Sequence, residues 1–390
     1  MRIALALEYP LMQQGGTEVL VRELVRGLSR HFEIVLVSGD KDPGQLPREI
    51  SDLICDHIAW DETAVTRESA LALAAALRGH RIQLAHFHFG ETFAWGTNRF
   101  WRCPIYHLAG QKIPCLSTNH LATEWLNCQV RPDRPVWQKQ LYMCFALLSR
   151  SALYRRLKFE VCVSRHDRAR LVRMFPFFRP KLIQRYHSLL PADSSPPNPD
   201  RDPVVLCVGT LGGRKAQPNL AEAFARIAAK HPEWQLHFVG RADNPGYVGR
   251  IQACATQAEI TSRVQLLGRL GDEETVKRMQ RASIIAMPSL QEGLGLSLQE
   301  ALFHGCVGVG SRVGGIPELI DHEVNGLLVP PGDIPALASA LDRVMSDRST
   351  LDRFRAQSRA SILRKGMTAA AMVQSYLDLY QEILPALKPR

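Results

Sequence analysis

The sequence predicts an α/β protein made of two doubly wound, Rossmann-like domains that face each other across a cleft. Three observations carry this prediction. Strand-like and helix-like stretches alternate through the first half, a proline-rich stretch interrupts them near residue 195, and the alternation then starts again. Such alternation is the pattern of parallel sheets with crossover helices. With 390 residues the chain has room for roughly two to three domains of ordinary size.

In the first half, Arg2–Leu7 reads as a strand. Glu18–Ser29 has helical periodicity through Val21, Leu24, Val25 and Leu28, and Glu33–Ser38 is a second strand. Arg67–Leu77 is an alanine- and leucine-rich helix, and Leu84–Phe89, Cys115–Ser117 and Glu160–Val163 are further strands. Leu190–Pro203 contains five prolines among polar residues and can continue neither a helix nor a central strand. Beyond it, strands are expected at Val204–Val208, Trp234–Val239, Val264–Leu267, Ser283–Met287 and Val307–Val309. Helices are expected at Asn219–Lys230, Glu273–Arg281, Leu296–Phe303 and Asp333–Met345, with a largely helical tail over Arg348–Leu387. The domains are therefore drawn at 1–190 and 204–365, with a linker at 191–203 and a C-terminal helix at 366–390 that packs back on the first domain. Ligands of such sheets sit at the carboxyl ends of the strands.

Composition narrows the function classes. The chain is 46% hydrophobic and 22% charged, which is ordinary for a soluble globular protein. Its apolar runs are far shorter than the roughly 20 residues that span a bilayer. The N-terminal apolar stretch ends at Glu8, too early for a signal-peptide core. The nine cysteines are widely spaced with no C-x-x-C pair, which fits neither a disulfide framework nor a zinc site and suggests a reducing, cytoplasmic setting. The net charge is +10, and Val130–Leu190 alone holds 14 Lys and Arg against 3 Asp and Glu. Basic residues there alternate with Trp137, Leu141, Tyr142, Phe145, Leu148 and Phe177. The segment reads either as an ordinary helix with a basic outer face or as a surface for an anionic partner, with an anionic membrane surface through 130–185 the preferred candidate. No nucleic-acid-binding module is evident.

The chemistry concentrates in Pro288–Asn325. Glu292 precedes the turn Gly293-Leu294-Gly295, and Glu300 lies one to two turns into the helix that opens at Leu296-Ser297. Unpaired N–H groups at such a helix start suit a diphosphate, with Glu292 in reach of a sugar hydroxyl and Glu300 of a ribose diol. Gly209 and Arg214-Lys215 follow a strand and bring cations to the same kind of ligand. Gln14-Gly15-Gly16-Thr17-Glu18 joins the first strand to the first helix without the G-x-G-x-x-G spacing of a nicotinamide or flavin site. His86, His88 and His120 stand at strand ends, and no third ligand accompanies the first two as a zinc site would require.

Taken in order, Pro288-Ser289, Glu292-Gly293, Gly295-Leu296, Glu300-Ala301, Gly314-Gly315 and Pro317-Glu318 resemble the donor-site signature of glycosyltransferase family 4. That resemblance implies a GT-B fold and a retaining hexosyltransferase. The enzyme would move a sugar from a nucleotide-diphosphate donor to a glycan or lipid-linked acceptor, with no cofactor or metal. It also implies roles for single residues. Glu292 orients the donor sugar, Glu300 holds the ribose, Arg214 and Lys215 take the diphosphate, the loop at Gly15 and Gly16 closes over the donor, and His120 contacts the sugar. Thr210 stands where the family often has arginine, which leaves that charge to Arg214. The alternatives are a nucleotide-sugar epimerase or sugar phosphorylase of the same architecture, and a non-catalytic scaffold that binds nucleotide-sugar or membrane.

Overall fold

The computed structural model describes residues 1–384 except 12–14, 43, 45, 62–64, 90–98, 121–134, 192–196 and 198. Gln14 of the first glycine loop, residues 130–134 of the basic segment and the end of the tail beyond residue 384 lie outside the described residues. The chain divides into two units, Met1–Leu189 with Ala369–Arg390, and Leu190–Thr368.

In the first unit the strands are β1 (Arg2–Leu7), β2 (Glu33–Ser38), β3 (Asp56–Ala59), β4 (Leu84–Phe89), β5 (Cys115–Asn119), β6 (Phe159–Cys162) and β7 (Leu182–Gln184). They form one parallel sheet in the order β3-β2-β1-β4-β5-β6-β7. The helices are α1 (Gly16–Leu28), α2 (Arg48–Ser51), α3 (Arg67–Gly79), α4 (Pro104–Gly110), α5 (Val136–Arg156), α6 (Arg165–Met174) and, from the far end of the chain, the last helix, Ala369–Ile383. Strand β1 is covered on both faces, so it reads as a nearly unbroken apolar run. Ile3, Leu5 and Leu7 join the core under α1 and the last helix, while Ala4 and Ala6 join the core on the other side. Leu20, Val21, Leu24, Val25 and Leu28 form the buried stripe of α1, the spacing of an amphipathic helix.

In the second unit the strands are β8 (Asp202–Val208), β9 (Gln235–Val239), β10 (Val264–Leu266), β11 (Ala282–Met287), β12 (Val307–Ser311) and β13 (Gly326–Val329). They form a parallel sheet in the order β10-β9-β8-β11-β12-β13. Its helices are α7 (Gln217–Ile227), α8 (Pro245–Gln257), α9 (Asp272–Arg281), α10 (Leu296–Phe303), α11 (Ile316–Leu319), α12 (Ile334–Ser346) and α13 (Arg348–Arg364). The last helix, α14 (Ala369–Ile383), follows the turn at Lys365–Thr368 and belongs to the first unit.

Several boundaries differ from the sequence reading, three of them as follows. Strand β8 begins at Asp202, inside the stretch assigned to the linker. The first helix begins at Gly16, two residues early, and the helical tail breaks before Ala369. The sequence reading also gave no bounds for β3, β7, β13, α2, α4, α6, α8 and α11, and for α5 only a helix somewhere in the basic segment.

The charge excess of the basic segment is not all on the surface. Arg150, on α5, is buried and donates from Nη2 to Glu160 Oε1 at 2.6 Å, while Ser117 Oγ reaches the other carboxylate oxygen at 3.4 Å. Removing one member of a buried pair strands the other charge, at a cost of about 3–5 kcal/mol. Arg150→Met is expected to lower stability toward urea by that amount, and adding Glu160→Leu is expected to restore most of it.

Candidate functional site

The reversal of strand order in the second unit falls between β8 and β11, which lie side by side. The loop after β8 carries Gly209–Lys215, and the loop after β11 carries Ser289–Gly295. Motifs about eighty residues apart in sequence therefore meet at one end of one sheet, at the topological switch point.

Backbone bonds stitch the two loops together. Leu290 N–H donates to Arg214 O at 2.8 Å, and Arg214 Nη1 donates to Gln291 O at 3.3 Å. Lys215 Nζ lies 2.5 Å from Glu292 Oε2, and Arg214 Nη1 lies 3.6 Å from Glu292 Oε1. Ser289 Oγ adds a bond to Glu292 Oε2 at 3.3 Å. Glu292 itself is buried. Burial alone would raise its carboxyl, but the Lys215 ammonium and the Arg214 guanidinium, with the bonds from Lys215 and Ser289, hold it below the usual carboxylate range.

The turn after Glu292 is shaped by glycine. Gly295 has φ 96°, a left-handed conformation, and the first turn of α10 follows it directly. Gly314 also has positive φ, 53°, and a β carbon there would run into the carbonyl oxygen of Glu292. Gly315 N–H donates to Gly293 O at 2.8 Å. The double glycine thus brings a third loop against the first two. Among the described residues, the backbone N–H groups of Leu294, Gly295, Leu296 and Ser297 have no acceptor, so the start of α10 presents free donors. Ser297 Oγ donates to Val208 O at 3.1 Å, which ties this helix start to β8.

Glu300 is the fifth residue of α10. Burial, aided by the Asp272 carboxylate, pushes its carboxyl up to about 7. No hydrogen bond to its side chain occurs among the described residues, so it is a desolvated carboxyl with open acceptor capacity.

Ser289 was read only as part of the signature, with no role of its own. Gln217 went unnoticed in the sequence, a buried side chain whose Oε1 accepts from Gly212 N–H at 3.2 Å and whose Nε2 donates to Thr210 O at 2.9 Å. It holds the lysine loop in shape. Its only local signal is a glutamine at the first position of a helix, where a free side chain would face water.

Gly15, Gly16 and His120 belong to the first unit. Gly16 opens α1, and Gly15 is its cap residue. His120 follows β5 directly. It is half-buried, and burial pulls its imidazole down to about 3. His86 and His88 are fully buried on β4. Among the described residues, no group of three or more His, Cys, Asp or Glu side chains is placed to hold a metal ion.

Comparison with known proteins bears on this arrangement. The family model for Glycosyl transferases group 1 matches residues 192–361, and that for Glycosyltransferase Family 4 matches residues 14–187. The chain belongs to glycosyltransferase family 4. Its two parallel α/β units are those of the family's GT-B fold. A curated relative, D-inositol 3-phosphate glycosyltransferase of Corynebacterium jeikeium (strain K411), is 32% identical over 195 residues, 48% of this chain and 45% of that one. Sucrose-phosphate synthase (tll1590) from Thermosynechococcus elongatus has a similar structure, with TM-score 0.75 and 21% identity, covering 98% of this chain and 99% of that one. Anabaena Alr3699/HepE in complex with UDP has TM-score 0.73 and 17% identity, covering 98% and 100%. Both structural likenesses are likenesses of fold. The chain spans less than half the length of the curated relatives it matches.

The buried imidazoles of this family member have a consequence for stability. In the unfolded chain they take up protons near their ordinary value of 6.5, whereas His86 and His120 are held down to about 3. His88 and His187 are held well below 6.5, also mainly by burial. The unfolded chain then binds more protons, so this contribution to stability is full above about pH 6.5 and is lost as the pH falls. Glu300, raised to about 7, acts in the opposite sense, its contribution fading as the pH rises through that value. Glu300 lies in the second unit, so it does not offset the four rings of the first. The urea midpoint of the first unit is expected to fall steadily between about pH 7 and pH 5, and a flat midpoint over that range would contradict burial of the rings in neutral form.

Proposed function

We propose that this protein is a retaining hexosyltransferase that moves a sugar from a nucleotide-diphosphate donor to a glycan or lipid-linked acceptor. The observation that carries the reading is the set Glu292, Lys215 and Arg214 beside the free N–H groups that open α10. A diphosphate leaving group gains negative charge as the glycosidic carbon–oxygen bond breaks. The electron pair of that bond goes to a phosphate oxygen. Preorganised cations and N–H donors stabilise that charge where it develops. Lys215, Arg214 and the start of α10 supply them. The acceptor hydroxyl attacks from the face that the diphosphate leaves, and its proton passes to the departing phosphate oxygen. Glu292 accepts from a hydroxyl of the donor sugar, Glu300 accepts from the ribose diol, and His120 contacts the sugar. Gly15 and Gly16 allow close approach of the loop over the donor. This chemistry calls for no metal, since the cations and N–H groups neutralise the diphosphate.

Family membership supports the reading, as does the UDP held by the Anabaena relative of the same fold. A thermal-shift screen with UDP, GDP, ADP and their sugar conjugates tests it, because a ligand of the folded state raises the melting temperature. One nucleotide is expected to raise it, with or without EDTA, and the rise is expected to shrink at least about tenfold in apparent affinity in Glu300→Ala. No shift with any of them would remove the donor site from this reading.

The pathway we assign is cell-surface polysaccharide or glycolipid synthesis, on the cytoplasmic face of a membrane with anionic lipid. The chain docks there peripherally. Among the described residues, no helix is long and apolar enough to cross a membrane. Helix α5 supports peripheral docking because it is apolar on both sides. Ala146, Leu153 and Tyr154 face the core, while Trp137, Leu141, Phe145 and Leu148 lie 50–69% exposed along the opposite face. The same face ends at the exposed Arg155. An exposed apolar stripe bordered by basic residues suits an anionic lipid interface. Vesicles with about a third anionic lipid are expected to carry the protein in flotation at low salt. Leu141→Glu with Phe145→Glu is expected to abolish this without lowering the melting temperature, and wild-type protein left at the bottom of the gradient would refute docking.

A further inference from the structure

Beneath His120 lies a column of buried polar side chains that the proposed reaction does not use. Residues alternate across a strand, so Leu84, His86 and His88 share one face of β4, and Leu116, Thr118 and His120 share the same face of the neighbouring chain segment at β5. In register, Leu116 stands beside His86 and Thr118 beside His88, with Leu84 one step deeper on β4 and His120 one step nearer the carboxyl ends. His187 joins them after β7, and α14 adds Tyr376 and Tyr380, one turn apart on one side of the helix.

The groups are connected. Tyr380 OH lies 2.6 Å from His86 Nδ1, and His86 Nε2 lies 2.7 Å from Thr118 Oγ1. Thr118 Oγ1 lies 3.3 Å from Tyr376 OH, which lies 2.7 Å from His187 Nε2. Donors can run in one direction from Tyr380 through His86, Thr118 and Tyr376 to His187, with both rings neutral and each in one tautomer. The rings also stack toward the strand ends. Centroids are 4.1 Å apart for His86 and His88, 5.7 Å for His88 and His120, and 5.0 Å for His120 and His187.

The Nε2 of His120 is buried and has no hydrogen-bond partner among the described residues. With no hydrogen bond among those residues to fix it, the ring is held by the rings of His88 and His187 on either side. Apolar side chains like Leu84 and Leu116 would fill this space without leaving polar groups unpaired. A polar column that runs to His120 is built for its upper end.

We propose that Tyr376 is a positioning residue for His120. The C-terminal helix delivers its hydroxyl to His187, fixes that ring in one tautomer and orientation, and through it holds the His120 imidazole in one orientation. This rests on the reading that His120 contacts the donor sugar. The role is indirect, because Tyr376 contacts His187 and Thr118 and not the reacting atoms.

Tyr376→Phe is the test, because it keeps the ring and its packing and removes only the hydroxyl. Nucleoside diphosphate release would be followed with UDP-glucose, UDP-galactose, UDP-N-acetylglucosamine and GDP-mannose, using octyl glycosides as acceptors. The variant is expected to lose about tenfold in kcat with donor KM within about twofold, and to lose less than about twofold when placed in a His120→Ala background. Independent losses that multiply, or an unchanged kcat, would overturn the proposal. Imidazole nitrogen NMR of the full chain without ligand gives a second measure. Tyr376→Phe is expected to shift His187 and His120 signals together, and an unmoved His120 signal would overturn the proposal whatever the activity. If His120→Ala transfers sugar normally while Lys215→Met does not, the proposal fails and sugar transfer stands. If the wild-type chain releases no diphosphate from any donor, the reaction reading fails, and the NMR comparison alone decides whether Tyr376 orders His120.

Discussion

Glu292 is a carboxylate where water cannot stabilise it, and the groups that do so come from a loop 77 residues earlier in the chain. The idealised penalty for burying such a charge is large, and only close, well-aligned partners offset it. Lys215 and Arg214 are placed by the end of β8, and Glu292 by the end of β11. The pairing of these two strands is therefore a precondition for the pair of charges. The same requirement explains the smallness of the residues around it. The loop after β12 must lie against the backbone of Glu292 and Gly293, and only Gly314 and Gly315 let it come that close.

The first unit meets a similar problem by the opposite means. Around β4 and β5 its strand ends are polar too, but the groups there are neutral rings and hydroxyls, several of which are bonded to one another. Burial keeps the imidazoles uncharged, so no counter-ion is needed. One sheet end holds fixed charge and free N–H donors, and the other holds oriented neutral groups. These are different electrostatic settings within one chain of repeated architecture. The first suits an anionic leaving group and the second suits hydroxyl-rich surroundings.

Much of the fold was legible because its central strands are buried on both faces and its principal helices have one apolar side. Strands β1, β2 and β4 were placed with their observed ends, as was α10. The elements that were missed lack that contrast. Helix α5 is apolar on both its inner and outer faces, so no 3.6-residue period stands out, and β3 is an edge strand whose residues are all partly exposed. Strand β7 has three residues, too few for any period. In the site, Glu292, Glu300, Arg214 and Lys215 could be singled out because each lies in a motif with ordered spacing. The contact between Lys215 and Glu292 could not be read, because it depends on which strands are neighbours, and the clamp by Gln217, though local, depends on a loop conformation that no residue pattern marks. The histidine column was harder still. His86 and Tyr380 are 294 residues apart, and neither carries a local mark of the other.

Helix α14 has a further consequence, for the order in which the molecule can be completed. The first unit begins at the N-terminus, yet part of its core, with Met372, Tyr376, Leu377 and Tyr380, is contributed by residues that follow the whole of the second unit. During synthesis, Met1–Leu189 emerge with part of one sheet face, the part beside α1, uncovered. The second unit is contiguous in sequence and can close while the first still waits. The nascent first unit therefore holds exposed apolar surface and unsatisfied histidines until the last helix arrives, a window in which it is prone to aggregate.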